Sequence, residues 1–167
     1  SRGLGDVYKR QVQRAYMDTH EGRLPIQDGI DVMTVGGVTF KRYLEIAKIL
    51  NKETAVVTDN DGNIKAITDK YKEYEGIPFI HICFDKVVDT GNLKLSDKNF
   101  NYNTLEPKIL KENGRGVMNK IFGTIYDADD EMHKYMYTHK TDCAIAIFES
   151  ATKIKYPEYI MRAIKNE

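Results

Sequence analysis

Apolar and polar positions follow two different periods along this chain, and each change of period marks an element. Thr54-Ala55-Val56-Val57 is a short β-branched run bounded by polar residues, the pattern of a buried strand. Pro78-Phe79-Ile80-His81-Ile82-Cys83-Phe84 is a second such run, and Ile30-Asp31-Val32-Met33-Thr34-Val35 is a third. Between them the spacing turns helical. Phe40, Tyr43, Leu44, Ala47 and Leu50 fall at i, i+3, i+4 and i+7 steps, which predicts a helix from about Thr39 to Leu50 with Thr39 as N-cap. Ile64, Ile67 and Tyr71 predict another from about Ile64 to Glu75, closed by Gly76. Strands and helices in alternation predict an α/β unit with a parallel sheet. Ligands of such sheets collect at the C-terminal ends of the strands.

The pattern changes beyond residue 85. Asp85 to Asn103 is polar, with a hairpin expected around Leu93 and Leu95. Helices are expected from Thr104 to about Asn113, then through Phe122, from Asp127 to Thr138, from Lys140 to Ser150 and from Pro157 to Lys165. The fold class is therefore α/β, a parallel sheet flanked by helices, followed by a mainly helical C-terminal part. Before the first strand-like run, Val12 to His20 fits the remainder of a helix, and Glu21 to Gly29 reads as loop. Ser1 to Gln11 shows no periodic pattern, and Asp6-Val7-Tyr8-Lys9-Arg10-Gln11 resembles the translation of a transposon end used in preparing sequencing libraries. It is expected to be foreign, or an ordinary disordered tail, and to stand outside the fold. The division is thus 1–11 and 12–167, with the true N-terminus expected to be missing.

Composition narrows the class. The 167 residues suffice for one domain with a real core, and 41% apolar with 30% charged residues is ordinary for a globular protein. Formal net charge is zero, so no global electrostatic footprint for nucleic acid exists. No apolar run approaches the roughly 20 residues of a membrane span, and no signal-peptide pattern is present. Cys83 and Cys143 are isolated and read as buried free thiols, which fits a reducing cytoplasm. The histidines show no ligand spacing.

The candidate chemistry lies after the Thr54–Val57 run, in Asp59-Asn60-Asp61-Gly62. In extended backbone alternate side chains share a face, so Asp59 and Asp61 are expected to point at one spot. Two convergent carboxylates repel unless a cation lies between them, and hard oxygen donors suit Mg²⁺ or Mn²⁺. A plain polar turn is the competing reading, because Asn, Asp and Gly are turn formers. Glu106 in Thr-Leu-Glu-Pro and Lys140 in His-Lys-Thr-Asp-Cys-Ala each stand at a helix start. Alone, each reads as a solvated cap.

Taken together, these pieces resemble a known family. Gly29-Ile30-Asp31-Val32, Val35-Gly36-Gly37-Val38-Thr39-Phe40-Lys41-Arg42-Tyr43-Leu44 and Ala55-Val56-Val57-Thr58-Asp59-Asn60-Asp61-Gly62, followed by Thr104-Leu105-Glu106 and Lys140-Thr141-Asp142-Cys143-Ala144, are similar to the Toprim domain of OLD-family (overcoming lysogenisation defect) ATP-dependent endonucleases. The resemblance implies Mg²⁺- or Mn²⁺-dependent nicking or cleavage of DNA. It makes Asp59, Asp61 and Glu106 metal ligands, Asp59 and Lys140 catalytic, and Thr104 a weaker ligand or an orienting group for Glu106. One or two divalent ions would clamp the reacting phosphodiester oxygens and lower the pKa of the attacking water, while Lys140 would stabilise transition-state charge. It also implies an upstream ATPase domain as the partner that uses ATP, since no GxxxxGK[ST] occurs here. Some members serve in defence against phage. A homo-oligomer is compatible with this reading.

The sequence departs from the family at one place. Toprim domains carry a glutamate at the end of their first strand, in an Glu-Gly motif, and that place here holds Ser1–Gln11. Glu21-Gly22 follows no buried strand and is rejected as the equivalent. The expectation is a fragment without its first strand and one carboxylate, and so inactive alone. Two alternatives accompany this reading. A haloacid-dehalogenase-like phosphatase also uses a strand ending in DxDG, with Asp129-Asp130 and Lys120 as later partners, but its motif belongs on the first strand and Asn63 stands where Thr is usual. A non-catalytic scaffold or dimerisation domain would keep the fold with structural aspartates. A calcium loop fails on spacing, with Gly62 fourth rather than sixth and Lys70 in the twelfth place.

Overall fold

The computed structural model describes residues 2–35, 39–90 and 101–165, with the side chains of 2–6 left aside. Ten regular elements occur among them, in the order α1 (Arg2–Thr19), α2 (Phe40–Leu50), β1 (Thr54–Val57), α3 (Ile64–Lys70), β2 (Ile80–Cys83), α4 (Leu105–Asn113), α5 (Arg115–Phe122), α6 (Asp129–Thr138), α7 (Lys140–Glu149) and α8 (Glu158–Lys165). Short 3₁₀ turns at Pro25–Asp28 and Lys72–Tyr74 connect them. The strands pair in parallel, Thr54 opposite Ile80 through Val57 opposite Cys83.

The two-stranded sheet separates two cores. Successive side chains of a strand point to opposite faces, and β1 uses both. Val57 packs with a large helical core that includes Ala15, Leu105, Met118, Met132, Ile147 and Ile160. Val56 packs with Leu44, Ile67, Tyr71, Tyr74 and Ile80, the smaller core under α2 and α3. Helix α8 lies against both strands, and α2 lies against β2. This is the expected mixed α/β arrangement with a helical C-terminal part.

Three local expectations change. Residues 30–35 form no strand; a strand is held by its ladder, and β1 and β2 pair with each other. Helix α2 buries only Leu44 and Ala47 fully, whereas Tyr43 and Leu50 of the expected stripe are exposed, with Ile46 and Ile49 beside them. Residues 2–11 do not stand outside the fold as a disordered tail. They continue into α1, where Val7 is 3% exposed within the helical core. Arg14 fastens α1 to α7 by donating from Nη1 to the carbonyls of Ile147 (3.0 Å) and Phe148 (2.7 Å), and its Nε meets Asp18 at 2.8 Å. The hairpin expected at Leu93 and Leu95, and Gly36-Gly37, lie outside the described residues. Both cysteines are buried free thiols. No described helix is long and apolar enough to cross a membrane.

Candidate functional site

The site forms where the parallel strands end. β1 stops at Val57, and the chain then turns instead of staying extended. Asp61 takes φ 51° and Gly62 takes φ 75°, both left-handed. The extended-strand argument for Asp59 and Asp61 therefore does not hold through the turn: Asp59 is 6% exposed and points inward, while Asp61 is exposed. Asp61 accepts a long hydrogen bond from Asn101 Nδ2 at 3.4 Å. Asn63 caps α3 by accepting from the Ala66 amide at 3.0 Å.

Asp59 meets α1 and α8. The Tyr8 hydroxyl donates to Asp59 Oδ1, and the hydroxyls of Tyr8 and Tyr159 lie 2.6 Å apart. An ionised carboxylate only accepts, so Tyr8 commits its proton to Asp59 and Tyr159 donates to Tyr8. Burial pushes the Asp59 carboxyl up to about 6; the Tyr8 bond and Lys140 oppose this, and the charges of Asp61 and Glu106 add to it.

Glu106 occupies the first turn of α4 and is 4% exposed. Both of its side-chain oxygens are buried without a hydrogen-bond partner from any other residue. Burial raises its pKa, and its own backbone amide and then the Lys140 charge draw it back. Lys140 opens α7, half-buried, with Nζ 4.8 Å from the centre of the Tyr137 ring. Its charge reaches Asp59, Glu106 and His133. Thr104 precedes α4, and its hydroxyl donates to the Asn101 carbonyl at 3.4 Å rather than to Glu106. Asp59, Asp61, Glu106 and Lys140 thus share one electrostatic neighbourhood, although they are far apart in sequence.

The donor set is all hard oxygen, two of its three carboxylates are buried, and no other residue bonds the Glu106 carboxylate. In chemistry and charge these residues fit a divalent cation. Among the described residues, however, no three His, Cys, Asp or Glu side chains are gathered closely enough to enclose an ion. Glu21 is exposed at a left-handed turn (φ 54°). Of the phosphatase partners, Asp129 begins α6 in an ion pair with Arg115 at 3.2 Å.

Four participants were not read from the sequence. Asn60, between the two aspartates, is fully buried and bonds both strand-end loops. Tyr8 and Tyr159 reach Asp59 from sequence-distant helices. Asp85, two residues past β2, is paired with Lys108 at 2.7 Å and bonded by the Val87 amide, and its pKa is held below the usual range. Asn60 had a signal, since a turn asparagine between two carboxylates invites a side-chain-to-backbone bond. The tyrosines had none.

The described residues form a two-stranded parallel sheet flanked by helices, with carboxylates beyond the C-terminal ends of its strands. Residues 10–61 match the family described as "Overcoming lysogenization defect protein-like, TOPRIM domain", so the OLD-type Toprim resemblance holds over that segment. The match ends at Asp61 and includes both aspartates. Among curated proteins the chain is similar to a tRNA modification GTPase MnmE of Clostridioides difficile (strain 630), 26% identical over 92 residues, which is 55% of this chain and 18% of that protein. The chain therefore spans under a fifth of this relative. No solved structure matches.

Proposed function

We propose that this chain is the Toprim part of a divalent-metal-dependent DNA endonuclease of the OLD type, with Asp59, Asp61 and Glu106 as ligands of Mg²⁺ or Mn²⁺. The observation that carries this reading is the pair of buried, un-neutralised carboxylates Asp59 and Glu106 beside Lys140, at the end of the strand where the family match ends. Burying a carboxylate is costly; Asp59 has the Tyr8 hydroxyl and Glu106 its own backbone amide, and a bound cation would offset the remaining cost. The ion would supply charge to the reacting phosphodiester oxygens and acidify the attacking water.

The chain's own residues do the rest. Asp59 holds its carboxylate in place through Tyr8, and its burial excludes water from one side of the site. Asp61, exposed on the turn, faces the side from which a nucleic-acid backbone can approach. Lys140 holds a positive charge within reach of Asp59 and Glu106, the place for stabilising charge that develops on phosphoryl oxygens. ATP would act through a separate ATPase domain, consistent with the lack of GxxxxGK[ST] here; the same lack leaves GTP binding of the MnmE kind unsupported. A cytoplasmic setting, a role in phage defence and self-association belong to this proposal too.

The test is Mn²⁺-dependent nicking of supercoiled plasmid by this chain and by its Asp59→Ala and Asp61→Ala variants. Nicking that Asp59→Ala abolishes supports the reading. Nicking that survives both Asp59→Ala and Asp61→Ala contradicts it. Hydrolysis of a small phosphoester without nicking moves the assignment to the phosphatase class.

A further inference from the structure

Asn60 stands between the two aspartates and is 0% exposed. A sealed amide is tolerated only when it is bonded, and Asn60 makes three bonds. Its Nδ2 donates to the carbonyls of Asp85 at 2.8 Å and Val87 at 3.1 Å, and its Oδ1 accepts from the Gly62 amide at 2.9 Å. The partners settle which end of the amide is which, since carbonyls only accept and an amide N–H only donates.

These bonds join the two strand-end loops. β1 and β2 end in register at Val57 and Cys83, so Asn60 clamps the turn after β1 to the segment after β2. On one side it holds Gly62, whose neighbour Asp61 is kept in a left-handed conformation that non-glycine residues rarely adopt. On the other side it holds residues 85–87, which include Asp85 of the Lys108 ion pair. The direction in which Asp61 leaves the turn, relative to inward-facing Asp59, is set by this amide.

We propose that Asn60 is a positioning residue for divalent-ion binding, acting through Asp61; this rests on reading Asp59 and Asp61 as ion ligands. Outer groups that orient metal ligands typically govern affinity ten- to a hundredfold. The experiment titrates Mn²⁺ alone into the full chain and follows free Mn²⁺ by electron paramagnetic resonance. It compares wild type, Asn60→Ala, Asp61→Ala and the double variant, with Met118→Ala in the helical core as a destabilised control. The expected result is a ten- to hundredfold loss of affinity in Asn60→Ala, and a double variant no weaker than Asp61→Ala. Met118→Ala is expected to lower Tm while leaving affinity unchanged. If Asn60→Ala does not fold, Asn60→Ser replaces it, a shorter uncharged side chain that cannot bond both loops at once, with the same loss expected. Wild-type affinity in the Asn60 variant overturns the proposal, as does an additive double variant or an equal loss in Met118→Ala. If wild type itself binds no Mn²⁺, the ion reading of Asp59 and Asp61 falls first and takes this proposal with it; binding by wild type with an indifferent Asn60 overturns this proposal alone.

Discussion

Asp59 carries the clearest consequence at the scale of a single residue. Its carboxyl ionises at about 6 in the folded chain against an ordinary 3.8. Folding therefore disfavours the ionised form: the stabilising contribution is fully present below about pH 4 and is lost as pH rises through about 6. His133 has the opposite sign, since burial pushes it down to about 4 from 6.5; its contribution is present above about 6.5 and is lost as pH falls toward 4. The two offset each other, so the wild-type profile is expected to be shallow between pH 4 and 6.5. Asp59→Asn isolates one of them. In metal-free urea denaturation the variant is expected to exceed wild type by on the order of 2–3 kcal/mol at pH 7.5, with the gap closing toward pH 4. A gap that is constant with pH would contradict the assignment. The Tyr8 hydroxyl favours the charged form of Asp59, so Tyr8→Phe is expected to raise that pKa further, read by carbon-13 NMR of the carboxyl group; a fall would contradict the bond. The aspartates themselves were legible in the sequence as DxDG after a β-branched run. Their common direction was not, because Asp61 turns left-handed under the hold of Asn60 and Gly62.

At the scale of elements, the joint between α1 and α7 rests on Arg14. Its buried guanidinium bonds the carbonyls at the C-terminal end of α7 and the carboxylate of Asp18, replacing partners that the last turn of a helix lacks. Arg14→Met keeps the apolar stem and removes the donors. It is expected to cost about 2–3 kcal/mol in urea denaturation; a change below about 0.5 kcal/mol would show that water satisfies those carbonyls equally well. By contrast, Ile49→Lys on the outer face of α2, where Ile49 is 77% exposed, is expected to change stability by no more than about 0.5 kcal/mol. Helices α2 to α8 were readable because their stripes and stop signals are local. The run 30–35 misleads because β-branched alternation states only that a residue suits a pleated surface, and among the described residues no ladder holds it. The start of α1 was missed because its contacts, Val7 in the core and Tyr8 on Asp59, come from residues far along the chain.

At the scale of the whole molecule, the sheet divides a large helical core from a smaller one and presents Asp59, Asp61 and Asp85 at one end, with Glu106 and Lys140 brought there by helix starts. The class of fold was visible in the alternation of periods. The closeness of residues 59, 106 and 140 was visible only through family resemblance, since no local pattern links a strand end to two helix starts. The central claim is that these carboxylates hold a divalent ion, and a ligand that binds only the folded state raises stability by mass action, about 1.4 kcal/mol at ten times its Kd. The most direct measurement is the thermal midpoint of the full chain at pH 7.5 with and without Mg²⁺, in wild type, Asp59→Asn and Glu106→Gln. The account predicts a Mg²⁺-dependent rise in wild type that both variants lack. No rise in wild type, or the same rise in both variants, would contradict it.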